Sequence, residues 1–141
     1  MANRARNVEL AYIKHSKTSA SLDCPFCNPD QPSEKYTDFE HFRVVENRFP
    51  YAIWDDQHVL KHLMLVPKRH VDKISDFTAI EAKEFSELIG RYSSQGFSIY
   101  ARAHSNTSKT IVHQHTHLLL MDNEKLTSTF WVKKPYILLH R

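Results

Sequence analysis

Glycine is almost missing from this chain: Gly90 and Gly96 are the only two in 141 residues. Without a cluster of glycines no glycine-rich turn can wrap a phosphate, which excludes a P-loop and a Rossmann dinucleotide fingerprint. Long apolar runs are missing too, and no stretch approaches the roughly 20 residues of a bilayer-spanning helix. The first twenty residues carry Arg4, Arg6, Lys14 and Lys17 and no apolar core, so no secretory signal is expected. Glu9 and the lack of a clear amphipathic face argue against an organelle transit peptide. The expectation is a cytoplasmic protein without a membrane partner. Charge is nearly balanced; a net charge of +3 favours anionic ligands but is too small to argue for nucleic acid. Length and composition, 41% hydrophobic and 25% charged, fit one globular domain with a real core.

Histidine, by contrast, is abundant, with ten in the chain. Three of them alternate in Val112-His113-Gln114-His115-Thr116-His117-Leu118-Leu119-Leu120. In a β-strand successive side chains point to opposite faces, so His113, His115 and His117 would line one face together. A helix would scatter them. Three imidazoles are a poor way to fill a core, because each needs hydrogen-bond partners. The triplet reads as a site.

Along the chain, Val8, Leu10, Tyr12 and Ile13 suggest only a short packed turn or strand. Phe42 to Glu46 and Tyr51 to Asp55 read as two strands joined by a hairpin turn at Asn47-Arg48-Phe49-Pro50. A further strand runs from about His62 to Pro67. Thr78 and Glu81 form a capping box that opens a helix. Phe85, Leu88, Ile89 and Tyr92 give that helix one apolar stripe, and Gly96 suits the position just beyond its end. Phe97 to Ala103 reads as a strand, His104 to Lys109 as a turn, and Thr110 to Met121 as the histidine strand. The tail from Phe130 to His140 reads as one more strand or an interface segment.

Cys24-Pro25-Phe26-Cys27 invites a metal or a redox reading. Cys-Pro-aromatic-Cys resembles the glutaredoxin active site, but that chemistry needs its first cysteine at a helix N-terminus. Pro29 and Pro32 prevent a helix from continuing past Cys27. Inert thiols are the third reading; the metal reading requires two more ligands elsewhere.

His113-Gln114-His115-Thr116-His117-Leu118-Leu119 resembles the histidine-triad motif, three alternating histidines followed by hydrophobics. Lys61 to His70 is similar to that family's His-hydrophobic-strand-Pro-Lys-x-His block, and Cys24-Pro25-Phe26-Cys27 to the Cys-x-x-Cys of its zinc-bearing members. The three blocks, in order, span roughly residues 24 to 120. The resemblance implies an α+β fold with an antiparallel five-stranded meander sheet packed on one main helix, usually as a homodimer. It divides the chain into a segment 1–23, a histidine-triad domain 24–121 and an extension 122–141 packed on that domain or at a dimer interface. It implies structural zinc held by Cys24, Cys27, His70 and His113, a closed Cys₂His₂ set; the lesser reading of His70 is a basic surface residue beside Lys68 and Arg69.

By the same resemblance His115 attacks the α-phosphorus of a nucleotide. His117 holds phosphate oxygens or protonates the leaving oxygen, and His62 supports them or is merely packed. A nucleophilic imidazole needs one free ring nitrogen, so the other nitrogen of His115 should donate to a backbone carbonyl. Thr110 and Lys109 stand where phosphate contacts are expected, Asp55 or Asp56 where a ribose hydroxyl is held, and Ile53 or Trp54 where a base is covered. Departures from the family pattern are the polar Gln114 and Thr116, which suggest a less buried opposite face, and Ser105 to Lys109 in place of a glycine-rich turn.

The function implied is a nucleotidyl hydrolase or transferase cleaving a dinucleoside polyphosphate, an adenylate or a nucleoside phosphoramidate. A non-catalytic nucleotide-binding zinc protein is the alternative, and a redox protein the third. Removal of adenylate from a nucleic-acid end is a narrower option, which Lys133, Lys134 and Arg141 support only faintly.

Overall fold

The structure is a computed structural model and describes residues 4–18, 24–27, 36–127, 129–133 and 136–140. In chain order come α1 (Arg6–Thr18), β1 (Tyr36–Asp38), β2 (Phe42–Glu46), β3 (Ile53–Trp54) and β4 (Gln57–Pro67). A single 3-10 turn, Ile74–Asp76, leads to α2 (Ala79–Ser94), β5 (Phe97–Ala101) and β6 (Thr116–Met121). A terminal hairpin, β7 (Thr129–Lys133) and β8 (Tyr136–His140), makes a separate two-stranded sheet. The main sheet runs β1-β2-β4-β6-β5, all antiparallel, with β3 paired to the start of β4. The α+β class and the five-stranded path are therefore as expected. The order departs from a plain meander at one end, because α2 carries the chain across to the edge strand β5 and β6 then fills the gap beside β4.

Alternation along the strands sorts the sheet into two faces. Phe42 and Val44 of β2, Leu63 and Leu65 of β4, Phe97 of β5 and Leu118 of β6 join Leu88 and Tyr92 of α2 in one core cluster. The residues between them, Val45, Met64 and Val66, form a second cluster on the other face, capped by Phe26. His62 and His117 share this second face by register. Leu118 is fully buried in the helix-side core, so Leu118→Ala should cost about 2–5 kcal/mol, read as a lower denaturation midpoint at unchanged m-value.

The capping box closes α2 as expected: Thr78 N–H donates to Glu81 Oε2 at 2.7 Å and Glu81 N–H to Thr78 Oγ1 at 3.3 Å. Glu81 also takes a forked pair of bonds from Arg69, at 2.9 and 2.7 Å, and this partner holds its carboxyl down to about 2. Gly96 has φ +88°, the left-handed value that ends the helix without a Cβ penalty.

Four local expectations are corrected. Arg6 to Thr18 is a helix, not a short turn or strand; Tyr12 and His15 lie against the Phe49 ring, at 5.4 and 5.3 Å. Residues 47 to 50 do not close a hairpin, because β2 pairs with the far half of β4 and β3 with its near end. The hairpin lies instead at Asp55 and Asp56, with φ +49° and +57°, the two-residue turn whose twist suits flanking strands. It lets β4 begin at Gln57, five residues before the expected His62. Finally, the ladder of β6 begins only at Thr116, opposite Leu65 and Ala101. β5 stops at Ala101, opposite Thr116, and Pro67 closes β4 two residues past Leu65 without an N–H to donate, so the residues before Thr116 lack a complete pair of flanking strands.

Candidate functional site

His113 and His115 therefore precede the strand, and other bonds fix them. His113 Nε2 lies 2.9 Å from the Pro67 carbonyl. Gln114 N–H donates to Val71 O at 2.6 Å. Lys109 Nζ donates to Asp72 O and Gln114 Oε1, at 2.8 and 3.0 Å. The ammonium of Lys109 is thus engaged in bracing the segment before the triad, where a phosphate contact was expected. Gln114 and Thr116 are 2% and 1% exposed, so the opposite face is as buried as the histidines; the amide is absorbed by Lys109 and by the His115 carbonyl.

His113 turns its other nitrogen, Nδ1, toward the cysteines: 3.3 Å from Cys24 Sγ and 3.4 Å from Cys27 Sγ, while Cys27 Sγ is 3.1 Å from His70 Nδ1. All four donor atoms lie within 4.8 Å of one another. Metal–ligand bonds of 2.0–2.3 Å at tetrahedral angles would put sulfur and nitrogen about 3.5 Å apart, close to these spacings. A carbonyl can only accept, so His113 carries its proton on Nε2 and presents a bare Nδ1, the form a metal ligand takes with its other nitrogen anchored. The four residues fit a metal ion. Both cysteines are free thiols, and burial pushes the Cys27 thiol up, with Arg43 opposing.

The same logic places the protons of His115, His62 and His117. His115 Nδ1 is 2.9 Å from the His113 carbonyl, so it is the donor, and Nε2 is left without a described partner. Tyr51 N–H donates to His62 Nδ1 at 3.1 Å, which leaves the proton of His62 on Nε2. That nitrogen faces His117 Nδ1 at 2.9 Å and donates to it. His117 must then carry its own proton on Nε2, a buried donor with no partner among the described residues. Asn47, whose Oδ1 accepts from Phe49 N–H at 2.9 Å, has its amide nitrogen 3.1 Å from His62 Nε2 without bonding to it, since both atoms then carry hydrogen. The result is an open nitrogen on His115 beside an unused N–H on His117, with the two rings 5.2 Å apart.

Burial keeps these rings neutral. Loss of hydration is the main cause of each shift, bringing His62 to about 3 and His117 to about 2. It also lowers His115, against the bond to the His113 carbonyl that pulls it up. The folded protein therefore refuses protons that the unfolded chain takes up below pH 6.5. Stability is complete above that value and should fall with pH toward 3, by about 1.4 kcal/mol per unit for each such histidine. Thermal melts between pH 7 and 5 should show this descent, with a slope smaller by about one proton in His117→Asn. A flat profile would contradict it.

Aromatic rings enclose the pair. Tyr51 lies 4.6 Å from His62 and 5.6 Å from His117, and Tyr100, the cross-strand partner of His117, lies 5.9 Å from it. Trp54 packs on both tyrosines, at 5.5 and 4.6 Å, which ties this expected base-covering residue to the triad. Phe26 touches both His113 and His115, at 5.7 and 5.4 Å. Ile53 is half-buried opposite His58, while Asp55, Asp56 and Thr110 are exposed, the two aspartates at the hairpin tip. Sequence reasoning missed Tyr51, Tyr100, Asn47 and Arg102. Only register could have found Tyr100; Arg102, one residue past β5, is brought in by its bond to Tyr51 Oη at 3.1 Å.

A histidine triad protein from Clostridium difficile superposes with a TM-score of 0.54 at 24% identity, over 75% of this chain and 95% of that one. A HIT family hydrolase from Clostridium thermocellum gives 0.52 at 16% identity, over 76% and 98%. No protein-family model matches the sequence, and no curated protein does. The chain has the fold of the histidine-triad proteins. Among the described residues no helix is long and apolar enough to cross a membrane.

Proposed function

We propose that this protein is a histidine-triad hydrolase or transferase that cleaves the α-phosphate linkage of a purine nucleotide through His115. One observation carries the reading: His115 is locked by its Nδ1 proton, with Nε2 bare and open, next to the unpartnered Nε2–H of His117. A neutral imidazole with a fixed tautomer is the form that attacks phosphorus. In the first step His115 Nε2 bonds to the α-phosphorus and the leaving group departs with the electrons of its own bond. The His113 carbonyl stabilises the positive ring that results. Water then attacks phosphorus, the phosphorus–nitrogen bond breaks back onto His115, and a proton goes to solvent. His117 Nε2–H holds a phosphate oxygen throughout, and His62 keeps that proton on the correct nitrogen.

Cys24, Cys27, His70 and His113 would hold zinc, a closed set that supplies structure rather than chemistry. The paired sulfurs face imidazole nitrogens, which favours the metal over the redox reading. Ile53 or Trp54 is proposed to cover the base, Asp55 or Asp56 to hold the ribose, and Thr110 to meet phosphate.

The test is incubation with adenosine 5′-phosphoramidate and with diadenosine tetraphosphate, following AMP. Release of AMP that disappears in His115→Ala is expected. No release from either compound, or release that survives the substitution, would overturn the proposal.

A further inference from the structure

The sheet face that carries the cysteine turn also carries a cation with no evident use. Arg43 of β2 stands directly opposite Val66 and two residues from Val45, and both valines belong to the apolar patch that Phe26 caps. Phe26 lies between Cys24 and Cys27, and Val66 precedes the Pro67 whose carbonyl holds His113. Alternation therefore sets Arg43 on the cysteine side of the sheet. Its charge is felt at both Cys27 and His113. The cross-strand neighbour of Arg43 in β1 is an acid, Asp38, but that carboxylate is paired with Lys68 at 3.4 Å. No carboxylate among the described residues lies within 4 Å of Arg43. Its Nε is buried and has no partner among them. An unbonded N–H on a charged group is costly in the interior, so the position calls for an acceptor.

We propose that Arg43 completes the metal cluster from outside: its Nε–H bonds the thiolate sulfur of Cys27 when Cys24, Cys27, His70 and His113 hold an ion. The inference rests on the metal reading above. When a divalent ion displaces the protons of two thiols, the net charge of the cluster does not change. The bare charge of Arg43 then has little net effect on binding. The hydrogen bond is different, because a thiolate accepts more strongly than a thiol, so the bond favours the loaded protein. Arg43 thus does for a cysteine what the Pro67 carbonyl does for His113, fixing the ligand from behind.

The probe is cobalt(II), taken up in place of zinc from a zinc-depleted, cobalt-supplemented growth medium. Its sulfur-to-metal charge-transfer band reads the electron density on the thiolates. In Arg43→Met that band should move to longer wavelength, since an unbonded thiolate gives up an electron more easily. Zinc affinity, by chelator competition, should fall about tenfold or more. Affinity alone does not decide, because any destabilising change lowers it where folding and ion binding are coupled. Leu118→Ala, in the core on the opposite face, is the comparison: lower affinity with an unmoved band. Arg43→Lys keeps the charge without the Nε–H and should shift the band as Arg43→Met does; it also serves if the methionine variant does not fold. A band that stays at the parent's position in Arg43→Met or in Arg43→Lys overturns the proposal, whatever the affinity does. A parent that takes up neither cobalt nor zinc removes the metal reading itself, and this inference with it.

Discussion

AMP release should fall by about three orders of magnitude or more when His115 is replaced by alanine. The covalent route has one nucleophile, and the neighbouring imidazoles cannot take over. His113 has Nε2 tied to Pro67 O and Nδ1 turned to the cysteines, while His117 has its bare nitrogen occupied by His62. The remaining activity would come from bound water positioned by His117. Single-turnover measurements should show no nucleotidyl-protein adduct in the variant, whereas acid-quenched unmutated protein should carry one. A variant within tenfold of the parent would mean that the phosphorus is attacked by something else. His62→Ala should have a smaller effect than His115→Ala, since it removes the group that orients His117 rather than the nucleophile itself.

The second large effect concerns the metal cluster. Cys24→Ala, or prolonged exposure to a strong chelator, should abolish a cooperative thermal transition near the parent's midpoint. Closed zinc sites are worth on the order of 10–16 kcal/mol in small domains, comparable with the whole stability of a domain this size. In this chain the cluster joins the turn at Cys24–Cys27 to His70, beyond β4, and to His113, ahead of β6. Without it Phe26, which caps Val45, Met64 and Val66, loses the anchor on either side of it in sequence. Stoichiometric zinc in protein purified without added metal is the companion measurement. A metal-free Cys24→Ala protein that melts and turns over like the parent would show that the four residues need no ion.

Much of this was legible because the relevant signals are short and periodic. The capping box at Thr78 and Glu81 and the apolar stripe from Phe85 to Tyr92 gave α2 nearly to the residue, since both depend on spacing within one helix. The cysteines and His70 and His113 were grouped by resemblance, and the fold brings their donor atoms together. What failed were features set by distant chain. Nothing local told Thr110 to His115 that β5 would end opposite Thr116 and β4 soon after at Pro67, so an unbroken strand was expected there. The bond from Lys109 to the carbonyl of Asp72 was likewise invisible, because sequence position says nothing about that carbonyl. The aromatic wall of Tyr51, Trp54 and Tyr100 depends on a hairpin whose turn sits at two aspartates rather than at Asn47 to Pro50.

His113 has its ring in the metal cluster and its carbonyl on the nucleophile. Whatever free energy an ion at Cys24, Cys27, His70 and His113 contributes to holding that carbonyl, nucleotide bound at His115 must return to the ion in equal measure. An ion held there should therefore bind more tightly when nucleotide is present. A kinetic defect after changing His113 would report on two equilibria at once, and only an ion affinity measured beside it can divide them.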